Sequence, residues 1–583
     1  MIEKSEKERL EEWFERISFA EKYYQQYHNL IDESRNFYKD SKKSKTGHYN
    51  IFWSTIETLK PFLYFKQPQF YVERQNKSND KIERMACMIL EKALQWNISQ
   101  FDFESVIKYA RNDFLISGSG VLWEQYKPEF EEVSNPIKPS ENILIKKEEK
   151  VETIYVDPKD FLTDCKAAGV WEEVEWVARK IYMDVEDIKN NFEVEDINIK
   201  GTVCIYEIWD KKSGKVFWIS KAYPFHFLKI SNDIVNIQNF FPCPKPIWAT
   251  QTNDSIIPVP DYSLIKEMLN ELNGINARMK LTMQALKISG AYDNSFPELA
   301  NILSKDVTLV SVTDFSKLRE NGGIRGVVDF VPLEQYITAL EQLARRRQDV
   351  INGIFDITGV SDIMRGNSNA NETATAIVKK TNFGTLRNQD RQNEMQSFIR
   401  DLLRIKAEII CEYFSKDKLV SFLPKEMRED KSLIDEAINL LKTEKLRGMI
   451  FSVETANVLN QSEENSAVLS AIECIGKMIQ EALLTVSQQK HLLPLYRNMM
   501  QAVITTMPKA RCFETVIENV FSNIEKELFA PPLPPQPDKV LELEQQKNSL
   551  KEKELMLKAK NDADKLALAE KELQLKTAIK LAE

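Results

Sequence analysis

Between Leu333 and Phe414 the sequence demands two long helices around one short break, and few compact folds can absorb that pattern. In LEQYITALEQLARRRQDVINGIFDI, the residues Leu333, Ile337, Leu340, Leu343, Val350, Ile351, Ile354 and Phe355 recur at helical spacing and leave a polar opposite face. TGVSDIMRGNSNANETATAI follows, with Gly359 and Gly366 bracketing the break, where positive φ or close backbone approach costs least. Asn369 and Glu372 stand at capping-box spacing for the next helix, with Asn in place of Ser or Thr, and that helix runs to EIICEYF. From periodicity alone this is a helical hairpin packed in a core. Its connecting loop carries Asp362, Met364, Arg365 and Asn367, the first candidate site.

A chain of 583 residues should divide into several subdomains. With 43% hydrophobic and 29% charged residues it has globular composition, which excludes wholesale disorder. The formal net charge of −9 argues against a generic nucleic-acid binder, which holds phosphates with excess Lys and Arg. An acidic protein can still handle DNA if its task is to let DNA slide past. The cysteines Cys87, Cys165, Cys204, Cys243, Cys411, Cys474 and Cys512 contain no CxxC pair, so neither a zinc site nor a disulfide framework is signalled, and a reducing compartment fits. MIEKSEKERLEEWFERI is charged rather than apolar and no apolar run reaches ~18 residues, so no signal peptide or membrane span is expected.

In chain order, residues 3–40 read as a helix carrying Trp13, Phe14, Ile17, Tyr24 and Leu30, expected to dock at the periphery. The helix around IFWSTIETLKPFL is broken by Pro61 and followed by an extended FYVERQ; two further helices, a Gly-Ser-Gly turn and a strand come next. Residues 128–150 are charged and Pro-containing, the pattern of a loop or insertion. Val203–Trp209 and Lys215–Ile219 alternate around Asp-Lys-Lys-Ser-Gly as a β-hairpin, and the Pro-rich stretch FFPCPKPIWATQTNDSIIPVPDY reads as an extended connector. It leads to an amphipathic helix marked by Leu264, Met268, Leu272, Ile275, Met279 and Leu286. Between this helix and the one opening at Leu333, two strands, a helical turn and a Gly-Gly turn make a small α/β unit. After Phe414 the periodicity predicts only helices, then the proline-rich linker FAPPLPPQPDKV and a Lys/Glu-dense terminal helix. In that tail Leu543, Leu550 and Leu557 step by seven, and Leu568 and Leu575 resume after a stutter, which fits either a coiled-coil seam or a solitary charged helix.

Enzyme signals are absent. There is no GxxxxGK[ST] phosphate loop, the histidines His28, His48, His226 and His491 show no HExxH or HxH spacing, and the Glu129–Glu132 and Glu148–Glu149 clusters lie in charge runs. No cofactor is expected.

The strings IFWSTIETLKPFLYFKQPQFYVER, GVLWEQYKPEF, VDPKDFL, VDFVPLEQ and DITGVSDIMRGNSNANETATAI, in this order over residues 30–415, resemble the portal proteins (head–tail connectors) of tailed bacteriophages, of the larger type found in short-tailed phages and related prophages. The resemblance implies a predominantly helical α+β subunit of elongated, portal type. Its parts would be an N-terminal helix at 1–49, an α+β wing at 50–262, and a first stem helix at 263–289. A clip would follow at 290–332, a second stem helix at 333–358, a tunnel loop at 359–370 and a long wing helix at 371–415. The helical crown would occupy 416–530, the linker 531–539 and a C-terminal helix, forming a barrel or coiled coil, 540–583.

It further implies a homo-oligomeric ring, usually a dodecamer, at one vertex of the virion capsid, assembled in the host cytoplasm. Such a ring conducts double-stranded DNA without reading sequence during packaging and ejection. Its partners would be a terminase large subunit, a head–tail adaptor, and the major capsid or scaffolding protein, with no membrane involved. Asp362, Met364, Arg365 and Asn367 become DNA-contact candidates, and Asp314, Lys317, Arg319 and Arg325 become docking candidates in the clip. Arg365 could meet phosphates or instead fix the loop through a salt bridge with Asp362. Arg345, Arg346 and Arg347 point around the helix by ~100° each, so they cannot all face one channel; some are expected to bridge to a neighbouring subunit. The alternative to a portal is a helical scaffold or coiled-coil assembly protein without a DNA channel.

Overall fold

The structure, a computed structural model, describes residues 5–40, 49–64, 67–74, 80–100, 102–134, 142–167, 169–192, 201–232, 235–285, 290–292, 315–320, 322, 328–330, 333–360, 364–365, 374–423, 428 and 430–454, with scattered positions between 469 and 547. Met1–Glu463 form one compact unit and Glu464–Glu583 a second. The elements below belong to the first; the expected linker, the terminal helix and nearly all of the 455–530 stretch lie outside the described residues.

Helix α1 (Glu6–Tyr38) starts at a capping box, in which Ser5 N–H donates to the Glu8 carboxylate and Glu8 N–H to Ser5 Oγ. It buries Leu10, Trp13, Ile17, Ala20, Tyr24, Tyr27, Ile31 and Ser34 along one stripe. Helices α2 (Ile51–Leu63), α3 (Lys81–Gln100) and α4 (Phe103–Ser117) follow, with strand β1 (Gln69–Arg74) between the first two. Gly118 ends α4 at φ +83, where a Cβ would stand 2.9 Å from Pro260, so only glycine fits this turn. Strands β2 (Ser119–Ser134) and β3 (Asn142–Val156) form a long antiparallel hairpin. Then β4 (Phe161–Thr163), β5 (Trp176–Asp184), helix α5 (Val185–Phe192), β6 (Thr202–Asp210), β7 (Lys215–Ile219) and β8 (Lys229–Asn232) supply an antiparallel sheet in sequence order. The short β9 (Ile247–Trp248) pairs with β2. The mixed α+β class expected from the sequence holds.

Helix α1 docks through its buried stripe: Tyr27 donates to Ser117 O at 2.9 Å, Ser34 to Ile116 O, and Arg35 bridges Asp113 at 2.9 Å and Asp157 at 2.8 Å. It straps the end of α4 to the start of the sheet. One expectation fails in the body. The charged 128–150 segment is hairpin rather than loop, because its alternating charges pair across strands, as Lys150 with Glu129 and Lys127 with Glu152.

The chain continues through α6 (Asp261–Ala285), β10 (Gly290–Tyr292), α7 (Phe315–Glu320), β11 (Val328–Phe330), α8 (Glu334–Thr358) and α9 (Ala374–Tyr413). After α9 come α10 (Lys416–Ser421), α11 (Lys431–Glu444) and strand β12 (Met449–Glu454). The fully helical run expected after Phe414 is therefore corrected. Gly448 at φ +72 breaks the helical path, and MIFSVE pairs antiparallel with β1, Gln69 opposite Glu454 and Arg74 opposite Met449.

Helix α9 holds these parts together. Lys406, buried among apolar residues, places its ammonium 3.0 Å from the Glu124 carboxylate and 2.9 Å from Val151 O, while Thr153 donates to the other Glu124 oxygen at 2.8 Å. Burial drives both groups toward neutrality, Glu124 upward and Lys406 downward, and their mutual attraction opposes it. Tyr413 stacks on Tyr126 at 4.4 Å, and Ser415 donates to Glu149 through N–H and Oγ.

Lys406→Ala should cost about 3–5 kcal/mol in denaturant unfolding because it strands a buried carboxylate, whereas Lys406→Met with Glu124→Leu should cost much less. A pH prediction follows from α1. Burial works against the Glu21 carboxylate, but hydrogen bonds from Lys221 and Lys180 and then Tyr206 hold its pKa down to about 2. The stabilisation is full above the unfolded carboxylate value of about 4.3 and disappears as pH falls toward the folded value. Glu21→Gln should therefore flatten the acid limb of a thermal-stability profile between about pH 5 and 2.

Candidate functional site

Helices α6 and α8 pack antiparallel into an arm: Gly353 lies against Met268, Arg346 reaches Glu271 and Arg347 reaches Asn276. At 25 residues each, the helices are ~37 Å long. Their far ends are joined by a two-stranded ladder, β10 with β11, Gly290 opposite Phe330. Residues 293–314 and 323–327 lie outside the described residues, Asp314 and Arg325 among them; Lys317 and Arg319 are exposed on α7.

The apolar stripes of the arm helices split into two regimes. Near the body, Ile265, Leu269, Leu272 and Ile275 of α6 and Val350, Ile351, Ile354 and Phe355 of α8 are buried. Away from it, Leu281 and Met283 are 65% and 62% exposed, and Tyr336 and Ile337 are 39% and 47% exposed. Leu264, expected in the stripe, is also exposed, because the buried face of α6 runs through Ile265 instead. Helix α6 carries three acidic and three basic residues and α8 four and three, so the arm is nearly neutral.

The base of the arm is fixed by the first described turns of α9. Arg391 makes a two-pronged ion pair with Asp261 at the start of α6, at 2.8 and 2.9 Å and nearly buried. Asn388 donates to Gly359 O at 2.9 Å, and Gln392 to Phe62 O at 2.7 Å. Gly359 itself caps α8 at φ +73. Of the loop candidates, Asp362 and Asn367 lie outside the described residues. Met364 and Arg365 are half-buried: Met364 Sδ lies 3.5 Å from Asn388 Nδ2, and the Arg365 guanidinium sits 3.8 Å from the centre of the Phe355 ring. Within the subunit this part of the loop folds back on the last turns of α8, so Arg365 has a local structural contact, through an aromatic face.

The three consecutive arginines divide as the helical rotation requires. Arg346 pairs with Glu271 through two hydrogen bonds of 2.8 and 3.1 Å, and Arg347 donates to Asn276 at 2.9 Å while lying 4.8 Å over Tyr49. These contacts are inside the chain. Arg345 points away, exposed and without an ion pair to a described residue.

A concavity of about 560 Å³ lies between the β2–β3 hairpin and the β5–β6 strands, lined by Trp123, Tyr155, Tyr182 and Trp209 among others. Its charges are paired internally: Arg179 with Glu207 at 2.7 Å, Asp157 with Arg35, and Asp160 with Tyr182 at 3.0 Å. Among the described residues no His, Cys, Asp or Glu group could hold a metal ion, and no helix is long and apolar enough to cross a membrane.

The sequence reading passed over Asn388, Arg391 and Gln392. Their i, i+3, i+4 spacing continues the buried line Met395, Phe398, Ile399, Leu402, so polar residues on an otherwise apolar stripe were the signal. No family model and no curated protein matches the chain.

Arg391→Ala should destabilise the arm base by about 3 kcal/mol, since Asp261 is left buried without its partner, while Arg345→Ala should leave the melting temperature unchanged. Thermal and denaturant unfolding of the two variants checks this.

Proposed function

We propose that this chain is the repeating subunit of a portal-type ring, a conduit for double-stranded DNA at one vertex of a phage capsid. One observation carries the reading: a helix–ladder–helix arm leaves the body with apolar Leu281, Met283, Tyr336 and Ile337 exposed on the distal turns of its two helices. Apolar surface of this kind is covered when identical arms stand side by side, and rotation about one axis repeats the contact until it closes. The 290–332 segment would then project at one end of the ring, where Lys317 and Arg319 are exposed for a terminase or adaptor.

The electrostatics suit transport rather than capture. Phosphate-binding proteins release counterions from many Lys and Arg contacts, and a nearly neutral arm has few to offer. The loop after Gly359 would present the same side chains at one height in every copy, touching backbone and not base edges. The role is structural, with ATP hydrolysis left to the motor that docks on the ring. The wing, stem, clip and tunnel-loop divisions belong to this reading.

Native mass spectrometry with end-on negative-stain images tests it. The expected result at high protein concentration is a closed ring, of about twelve copies, with an axial hole wide enough for duplex DNA. A small oligomer without a hole, or a chain that stays monomeric, contradicts it. In a salt titration, two duplexes of unrelated sequence should bind with equal, weak affinity.

A further inference from the structure

The cavity between the β2–β3 hairpin and the five-stranded sheet takes no part in the arm, and its walls follow from strand register. Arg179, Ile181 and Met183 alternate along β5, Glu207 of β6 stands opposite Arg179, and Trp218 of β7 stands opposite Glu207. These residues share one face of the sheet. From the hairpin come Trp123 and Gln125 of β2, with Ile154 of β3 opposite Trp123. The Trp123 and Trp209 rings meet edge to face at 6.3 Å, and the Arg179 guanidinium lies 4.8 Å from the centre of the Trp123 ring. The volume of about 560 Å³ falls within the ~300–1,000 Å³ that ligand pockets span.

Arg179 is the group that needs explaining. It is only 7% exposed, yet it lines the cavity. Its Nε donates to Glu207 Oε2 at 2.7 Å, its Nη2 lies 2.7 Å from the same oxygen, and Trp209 Nε1 donates to Glu207 Oε1 at 2.8 Å. Both Glu207 oxygens are thereby taken. Nη1 has no hydrogen-bond partner, so a nearly buried guanidinium keeps two donors unused in the wall of a cavity. A donor so placed is costly to leave unmet. On the hairpin side, the Gln125 amide likewise makes no hydrogen bond to a described residue.

The charges decide what fits. Glu124 is paired with Lys406, Asp157 with Arg35, Lys180 with Glu21 and Glu207 with Arg179, all inside the chain. Asp160 accepts from Tyr182 but has no ion pair among the described residues. An anion would meet that uncompensated carboxylate, and a cation would meet the Arg179 guanidinium. A neutral acceptor suits both: a carbonyl oxygen for Nη1, on a flat body that packs against indole rings.

We propose that this cavity binds a free small molecule, a neutral planar aromatic carbonyl compound of the aryl amide type. Arg179 and Gln125 meet its polar edge, and Trp123, Trp209 and Trp218 surround its rings. The site is independent of the ring reading and holds whether or not a ring forms.

Isothermal titration and saturation-transfer NMR on the full chain test it with three probes: 2-naphthamide, 2-naphthoate and 2-naphthylmethylammonium. The amide should bind about tenfold or more tightly than either ion, because only it satisfies the donors without a charge conflict. Gln125→Trp, a change at an exposed position of the wall, should weaken amide binding about tenfold by filling the space, with circular dichroism unchanged. Arg179→Met with Glu207→Met removes the buried pair as a unit and should erase the preference for the amide over the ammonium probe. If that double variant does not fold, Gln125→Trp alone decides. Amide binding no tighter than that of the ions, amide binding unaffected by Gln125→Trp, or no binding at all overturns the site.

Discussion

A lysine ammonium buried beside a glutamate, Lys406 with Glu124, fixes how the first unit is assembled. Neither charge has water to return to, so the two must stay within hydrogen-bonding reach, and that holds α9 against the root of the β2–β3 hairpin. Once α9 is pinned there, its other polar residues reach other parts of the body. Arg391 fixes the start of α6, Asn388 takes the carbonyl that caps α8, Gln392 takes the end of α2, and Glu408 accepts from Gln238 N–H at 2.7 Å. One helix thus satisfies backbone and charged groups of elements hundreds of residues apart in sequence, groups that burial would otherwise leave unmatched.

The arm inherits its placement from that spine. Its base is ordered by apolar packing and by Arg391, whereas its distal half depends on one helix–helix contact and on Arg346 and Arg347. Apolar groups left in water there have no stabilising role in an isolated subunit, and in the proposed ring they would gain one by sharing the surface with another copy. The near balance of charge along the same helices fits a wall past which a polyanion moves without being held. Fold and proposed function therefore meet at the arm: in the proposed ring the body would be a support, and the exposed helices would do the assembling.

Legibility followed locality. The helix ending at Thr358 was readable because Gly359 supplies a left-handed cap at the end of a clear apolar stripe, and the β6–β7 hairpin because its turn residues sit between alternating strands. The β1–β12 pair was not, since two short strands almost four hundred residues apart carry no mark of their partnership, and the helical neighbours of MIFSVE masked its alternation. Charge misled at 128–150, where residues that suggest a solvated loop pair across a ladder. At the candidate site, the position of the loop was legible but the environment of Arg365 was not, because it depends on a Phe355 face that only tertiary packing supplies.

Hydrogen–deuterium exchange on dissociated and assembled protein probes the central claim most directly, namely that the arm is the assembling surface. The account predicts that amides in residues 270–285 and 334–348 become strongly protected on assembly, while those of α1 and of α9 beyond Asn388 exchange alike in both states. Unchanged exchange along the arm, with new protection on the body helices instead, would contradict it.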